Sequence, residues 1–375
     1  MNKVILPPAT IGIVGGGQLG QMLALSAKAM GYRIIVLDPT ANAPAVQVAD
    51  EAIIAAYTDE SALLQLAEQS DVLTYEFENI SLTTLQLASK RAALPQGTKM
   101  LALTKNRLRE KDFLSQHAIP VANYEAINSP EALKEAVKQI KLPAILKTAE
   151  GGYDGHGQWD IGDLDDLAQL LEHWPVTDNQ ELILEEKINF NRELSVMVTM
   201  DGTAAVRTWP IVENEHVNHV LNETRAPAVL SLALESQIQT IATSIAQALN
   251  LRGVLGIEMF VQGETVYVNE LAPRPHNSGH YSIEATNISQ FEGHIRSIVG
   301  LAIPPIKLLA PSLMHNLLGT TLLTARQDFI HHPEWHFHDY GKADIKAGRK
   351  MGHITVLGNE DVQQLHEWGQ QHGEN

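Results

Sequence analysis

Residues 10–39 restrict the folds open to this chain more than any other stretch. Thr10–Val14 is a short apolar run, and Gly15-Gly16-Gly17 follows it directly. Leu19, Met22, Leu23, Leu25, Ser26 and Met30 then recur at roughly helical spacing, and Arg33–Leu37 is a β-branched run that stops at Asp38-Pro39. Asp71–Thr74 reads as another strand, ending in Tyr75-Glu76-Phe77-Glu78-Asn79. Strand–helix–strand alternation predicts a parallel, doubly wound α/β sheet. Such sheets bind ligands at the carboxyl ends of their strands, where the glycine loop and Glu76 both fall.

The middle of the chain follows a different pattern. A helix is expected over 104–117, stopped by Ile119-Pro120, and another from Ser129-Pro130-Glu131. Ala144–Lys147 reads as a strand running into a glycine-rich loop at 151–157. Glu181–Glu185, Glu193–Met200 and Ala204–Trp209 read as strands, and 231–249 as a long helix. Val254–Val261 and Thr265–Glu270 form a hairpin about Gln262-Gly263-Glu264. This predicts an α+β region. A boundary is expected near Ile303-Pro304-Pro305, followed by a small strand-rich tail that includes His315–Leu318 and His353–Leu357.

The 375 residues carry 27 Lys+Arg against 44 Asp+Glu, a formal charge of −17. That balance argues against a general nucleic-acid or anionic-membrane surface, but leaves room for a local cationic pocket. The absence of cysteine removes disulfides, thiolate metal sites and a Cys nucleophile, and fits a cytoplasmic location. The N-terminus shows no signal-peptide pattern, and no apolar run is long enough to cross a membrane.

Several motifs point to chemistry. Gly15-x-Gly17-x-x-Gly20 with Asp38 is nearly a dinucleotide fingerprint, yet any phosphate-bearing ligand satisfies the same geometry. Phosphate or phosphoribosyl binding is the preferred reading. Four glycines in Gly151–Gly157 cannot serve a core and suit a loop that covers phosphates, with Lys147 in reach of a nucleotide phosphate. With a three-residue turn at 262–264, Glu258 and Glu270 share a face at roughly 7–8 Å and could hold Mg²⁺. A two-residue turn puts them on opposite faces. Arg274, His276, Asn277 and Ser278 directly follow and suit anion binding or proton transfer. Lys342, Lys346, Arg349 and Lys350 form a basic cluster among glycines. His331, His332, His336 and His338 are read as a loop of partly exposed histidines without a metal.

Taken together, GIVGGGQLG (12–20), TYEFEN (74–79), GGYDGHGQ (151–158), INF (188–190), NELAPRPHNSGHY (269–281), ISQFE (288–292) and AGRKMGH (347–353) resemble the ATP-grasp ligases of purine biosynthesis. The most similar family is the N5-carboxyaminoimidazole ribonucleotide synthetases. The resemblance implies a Rossmann-like domain (1–103), an ATP-grasp core of two α+β lobes (104–303) and a small C-terminal domain (304–375). It implies that ATP, bicarbonate and 5-aminoimidazole ribonucleotide react through carboxyphosphate. ATP and two Mg²⁺ ions are the implied cofactors, with no NAD and no zinc. A homodimer is implied too, with a downstream mutase as functional partner.

Residue roles follow from the same resemblance. Arg107, Lys147, Gly152, Tyr153, Asp154, Gly155, His156, Gly157, Gln158, Glu185, Glu186, Lys187, Ile188, Glu193, His216, Asn269 and Glu270 are assigned to ATP. Glu258 and Glu270 are assigned to Mg²⁺. Tyr153, Arg274, His276 and Lys350 are assigned to bicarbonate and carboxyphosphate. Gln18, Leu19, Glu76, Asp154, Lys342 and Arg349 are assigned to the ribonucleotide. His156 departs from the usual Lys or Arg, Gln21 from a frequent Arg, and Lys105-Asn106-Arg107 from the common Asp-Arg. The competing readings are a formate-using glycinamide ribonucleotide transformylase, an NAD-dependent oxidoreductase and a non-catalytic nucleotide-binding regulator.

Overall fold

The computed structural model describes residues 4–151, 157–176 and 180–373. Two compact units emerge, one of residues 1–101, 194–257 and 272–375, the other of 102–193 and 258–271.

The first unit opens with a parallel sheet of β1 (Thr10–Val14), β2 (Arg33–Asp38), β3 (Glu51–Ile54) and β4 (Val72–Tyr75), in the order β3-β2-β1-β4. Ile11, Ile13, Ile34, Val36, Val72 and Leu73 are completely buried, as in a sheet covered on both faces. The helix Gln18–Ala29 turns Leu23, Ala24 and Ala27 onto this sheet and packs with Phe291, Ile295 and Ile298 of the helix Gln290–Ile298.

The second unit holds an antiparallel sheet of β5 (Tyr124–Ile127), β6 (Ala144–Thr148), β7 (Gln158–Ile161) and β8 (Leu182–Glu186), in the order β5-β8-β6-β7. Leu133, Val137 and Ile140 of the helix Pro130–Ile140 cover it. The helix expected over 104–117 is two helices, Lys99–Thr104 and Arg107–Gln116. Asn106 breaks it by capping the second: its Oδ1 accepts the Arg109 N–H at 3.1 Å.

The remaining strands are β9 (Arg192–Met200), β10 (Val206–Thr208), β11 (Val212–Val217), β12 (Val220–Ala226), β13 (Val254–Gln262), β14 (Thr265–Ala272), β15 (Ser312–Leu318), β16 (His336–Asp339) and β17 (Lys350–Leu357). In the first unit they pair in the order β13-β9-β11-β12-β15-β17-β16, with β10 on β9. The C-terminal strands therefore continue the same sheet: β15 pairs antiparallel with β12, Glu223 opposite His315. His336 and His338 lie on a strand where a loop was expected. There His338 stacks on buried His353 at 4.2 Å and its Nε2 lies 2.7 Å from Glu284.

The C-terminal helix Asn359–His372 is docked by polar groups as well as by Leu365 and Trp368. Glu223 is almost fully buried, and His315 Nδ1 and His366 Nδ1 lie 3.2 and 2.8 Å from its two oxygens. Burial would raise the Glu223 pKa, but the two histidines outweigh it and hold the carboxyl below its ordinary range. Gly369 lets the helix come this close, because a Cβ there would lie 2.5 Å from His315 Cε1. Gly369→Ala should therefore lower the melting temperature. The crowding of a packed site costs about 1–3 kcal/mol, more than the roughly 1 kcal/mol that alanine adds in helix propensity. An unchanged or raised melting temperature would show that the helix docks without this contact.

Candidate active site

In the first unit, three chain segments meet at the carboxyl ends of β1 and β4. Gly15 has a φ of +113°, and a Cβ there would lie 2.7 Å from the Glu76 side chain. A Cβ on Gly16 would lie 2.7 Å from Asp38. The backbone must come close because it donates to these carboxylates: Gly16 N–H to Asp38 Oδ2 and Gly17 N–H to Glu76 Oε1, both at 2.7 Å. Asp38 also accepts from Thr40 N–H at 2.8 Å and from the Tyr57 hydroxyl. This corrects the phosphate reading of the loop itself, since its N–H groups at 16 and 17 meet the protein's own carboxylates. It also commits Asp38 to the loop, removing the ribose ligand that a dinucleotide site needs.

Glu76 is 9% exposed. Burial raises its pKa, and the charges of Arg274 and Lys342 oppose that rise. Arg274 is aimed by Glu78, whose Oε1 lies 2.7 Å from the Arg274 Nε. The third segment is tied down by Gln47, which donates to the Gly341 carbonyl at 3.0 Å. Lys342 donates to the Lys350 carbonyl at 2.5 Å and lies 5.5 Å from the centre of the Tyr340 ring. Burial, then the neighbouring Arg349 charge, brings the Lys342 ammonium down to about 8, with Glu76 pulling the other way. His280 is fully buried, and burial holds it well below its ordinary pKa. The nearby Lys350 and Arg274 charges add to that; Gln290 Nε2 bridges the His276 carbonyl and His280 Nδ1 at 2.8 and 3.0 Å, and the His280 ring lies 5.0 Å from that of His353 on β17. Gln18 and Leu19 open the helix beside Glu76, while Arg349 donates to the Asp344 carbonyl at 2.9 Å.

The second unit gathers a different set. Lys147 on β6 pairs with Glu185 on β8 at 2.8 Å, both side chains mostly buried. Lys111 donates to the carbonyls of Val268 and Asn269 at 3.3 and 2.9 Å. Arg107 lies 3.7 Å from Glu270, and its N–H donates to the Ala149 carbonyl at 2.8 Å. That bond fixes it at the base of the glycine segment. Burial lowers the Lys111 pKa and, with the Glu270 charge, raises that of Glu110 well above the usual carboxyl range. Glu185 is held at about 2: burial pushes it up, and Lys111 and Lys147 more than reverse this. Gln158 on β7 lies opposite Lys147, and the Gly157 carbonyl accepts the Thr148 N–H at 2.9 Å. Phe190 stacks on Phe260 at 4.4 Å, close in sequence to Ile188.

Other expected residues are not gathered there. Glu186 accepts from Asn123 at 2.6 Å and Lys187 pairs with Asp160 at 2.8 Å, both at the surface. Glu193 is half-buried on β9, and His216 lies on β11 of the first unit. Gly152, Tyr153, Asp154, Gly155 and His156 lie outside the described residues. The hairpin turn is two residues, Gly263-Glu264, rather than three. A regular pleat from that turn would place Glu258 and Glu270 on opposite faces. The exposure pattern breaks that regularity: it alternates through Thr265–Asn269, and then both Asn269 and Glu270 are half-exposed. Glu258 is half-exposed as well. Oxygen donors of this kind, two carboxylates and an amide, suit Mg²⁺ rather than a softer ion.

Sequence reasoning left several functional residues unassigned. Glu78 sits in TYEFEN, and Gln290 in ISQFE. Asn277, which the sequence did single out with Arg274 and His276 for anion binding or proton transfer, is 8% exposed, and neither its Nδ2 nor its Oδ1 has a hydrogen-bond partner. Leaving such groups unpaired costs about 1–3 kcal/mol; a bound anion would accept from Nδ2, while Oδ1 needs a donor. Lys111 and Glu110 carried no motif signal, because only the fold buries them beside Glu185 and Glu270.

The chain matches known proteins over nearly its whole length. Residues 8–104 match the ribonucleotide synthetase preATP-grasp domain, 112–291 the ATP-grasp domain, and 312–367 the phosphoribosylaminoimidazole carboxylase C-terminal domain. An N5-carboxyaminoimidazole ribonucleotide synthase of Bacillus subtilis is 44% identical over 95% of this chain and 93% of its own. The ADP-complexed N5-carboxyaminoimidazole synthetase of Staphylococcus aureus superimposes with a TM-score of 0.92 at 41% identity, covering 99% of both chains. The Aspergillus clavatus enzyme, solved with ADP and 5-aminoimidazole ribonucleotide, gives 0.87 at 31% identity over 95% and 96% of the two chains. With its preATP-grasp, ATP-grasp and C-terminal regions all matched, the chain belongs to the N5-carboxyaminoimidazole ribonucleotide synthase family of ATP-grasp ligases.

Proposed function

We infer that the protein carboxylates 5-aminoimidazole ribonucleotide with bicarbonate, using ATP and releasing ADP and phosphate, in purine biosynthesis. The observation that carries this reading is the gathering in the first unit of Glu76, bonded to the Gly17 N–H, Arg274, held by Glu78, and Lys342, bonded to the Lys350 carbonyl on a segment that Gln47 ties down. Such a set suits an anionic substrate with an amine to be acylated.

Bicarbonate is a poor electrophile, and phosphorylation gives its carbon a leaving group. Phosphoryl transfer depends mostly on positioning and charge neutralisation. Arg107 and Lys147 contact the ATP phosphates, and Glu185, Ile188 and Asn269 face the nucleoside. Glu258 and Glu270 hold Mg²⁺, which supplies charge neutralisation at the phosphates when bound. Arg274, aimed by Glu78, binds the bicarbonate and carboxyphosphate oxygens with Tyr153, His276 and Lys350. Residues 152–158 exclude water from the carboxyphosphate. Glu76 holds the ribonucleotide with Gln18, Leu19 and Asp154, and Lys342 and Arg349 take its phosphate. The domains run 1–103, 104–303 and 304–375. A homodimer in the cytoplasm, passing its product to a mutase, completes this reading.

Release of ADP from Mg-ATP should require both bicarbonate and 5-aminoimidazole ribonucleotide. Stimulation by glycinamide ribonucleotide with formate instead would move the protein to the transformylase branch. No ribonucleotide dependence at all would leave a nucleotide-binding regulator.

The Lys342 reading has a pH signature. The ammonium is charged below about 8 and neutral above it, so its hold on a phosphate weakens as pH rises through that value. The kcat/KM for the ribonucleotide, which reports the free enzyme, should fall through about pH 8. Lys342→Arg should move that fall to higher pH, since a guanidinium keeps its proton. An unshifted profile would take Lys342 out of the phosphate site.

A further inference from the structure

The active-site turn is framed by buried hydrogen bonds that no part of the phosphate chemistry uses. Gln290 is completely buried and clamps the His276 backbone from both sides: its Oε1 accepts the His276 N–H at 2.9 Å and its Nε2 donates to the His276 carbonyl at 2.8 Å. The ring is then held at one nitrogen. Ser278 Oγ lies 2.9 Å from His276 Nδ1, and the Ser278 backbone N–H is directed at the same nitrogen at 3.4 Å, capping the turn Asn277–Gly279.

A hydroxyl can reverse its role, but a backbone N–H cannot. Nδ1 must therefore accept, and Ser278 Oγ–H donates to it. The polarity then runs one way through the interior. Ser195 Oγ–H donates to Ser278 Oγ at 2.7 Å, Asn214 Nδ2–H to Ser195 Oγ at 2.9 Å, and Thr224 Oγ1–H to Asn214 Oδ1 at 3.0 Å. Ser195, Ser278 and Thr224 are completely buried. β9, β11 and β12 supply the chain, with Asn214 directly opposite Thr224 in the strand register. The Ser278 backbone N–H alone sets this direction: the reverse order, with the Asn214 amide turned over, would put a protonated Nδ1 against that N–H.

We propose that Thr224, Asn214, Ser195 and Ser278 fix the neutral His276 ring as the Nε2–H tautomer, making it a hydrogen-bond donor to the bound anion. The proposal rests on the placement of His276 at the bicarbonate and carboxyphosphate site. In this tautomer Nε2 gives a hydrogen bond to a carboxyl or phosphoryl oxygen. It is not a base for the bicarbonate proton or the amine. Ser195, Asn214 and Thr224 are thus positioning residues, acting on the reaction through the imidazole.

The test is long-range proton–nitrogen NMR of the full-length protein labelled at the histidine ring nitrogens, with the His276 signals identified by their loss in His276→Gln. The neutral ring should show an unprotonated Nδ1 and a protonated Nε2. Ser195→Ala and Ser278→Ala should shift Nδ1 and mix the tautomers. Each should also lower kcat for ribonucleotide-stimulated ADP release by about tenfold, leaving KM for ATP unchanged. A protonated Nδ1 in the wild-type ring overturns the proposal without needing any variant to fold. So does a tautomer that both alanine variants leave unaltered. If the tautomer is as stated but ADP release ignores bicarbonate and ribonucleotide, the proposed function fails and the frame around His276 stands.

Discussion

Arg274→Ala and Lys350→Ala should each reduce ribonucleotide-stimulated ADP release by about 10²–10³-fold, the range seen when one preorganised charge-stabilising donor is lost. Both are cations whose charge disfavours protonation of the buried His280, so both bring positive charge to the same part of the first unit. The loss should fall on kcat, because the charge they meet develops during transfer. Arg274 has a further dependence: its guanidinium is aimed by Glu78 at 2.7 Å. Glu78→Gln should produce a smaller loss of the same kind, since it frees the guanidinium without removing it. Steady-state ADP release with saturating Mg-ATP and bicarbonate reads all three variants. Full activity in Lys350→Ala would detach the C-terminal strand β17 from the site.

Glu185→Gln should destabilise the second unit by about 3 kcal/mol at neutral pH. The carboxyl is 5% exposed and held at about 2 by Lys111 and Lys147 against an ordinary value of 4.5. A folded pKa below the unfolded one gives stability that is complete above the unfolded value and lost as pH falls through the folded one. The wild-type advantage should therefore be full above about 4.5 and shrink toward about 2. The amide removes the charge but leaves Lys111 and Lys147 buried without it, so the loss exceeds that of an exposed pair. Hydrogen exchange of the β8 amides, which reports this unit's own opening, is the measurement. Equal protection in the two proteins at every pH would mean that Lys147 and Glu185 contribute nothing to the fold.

These two expectations draw on different kinds of information. Arg274 and Lys350 could be read from NELAPRPHNSGHY and AGRKMGH, because polar residues packed among turn formers have few uses in a core. Glu185 could be placed on a strand, but its charge partners could not be read. Lys111 precedes it by 74 positions and carries no motif, and only burial of the helix Arg107–Gln116 brings it near. The same holds for Gln290, whose hold on both backbone groups of His276 is visible only once Gln290–Ile298 packs beside the turn.

The errors share a cause. The hairpin turn was expected to be one residue too long, and in a structure of period two that decides which face a carboxylate occupies. The helix over 104–117 was read through Asn106, since local pattern does not show whether an asparagine caps or continues a helix. The glycine loop looked like a phosphate cradle because spacing cannot tell an incoming anion from the protein's own Asp38 and Glu76. The expected strand-rich C-terminal domain is matched at 312–367, and only the pairing of its β15 with β12 lay beyond the sequence.

By itself the sequence determined the strand–helix periodicity, the parallel first sheet and the polar turns, because burial and backbone geometry act over a few neighbouring residues. The tertiary structure alone decided which charges meet, which carboxylates are held ionised and which way the hydrogen bonds behind His276 run. Those depend on groups far apart in sequence, such as Ser195 and Ser278 or Glu78 and Arg274, each pair brought to 2.7 Å, where burial strengthens the pairing and no local pattern records it.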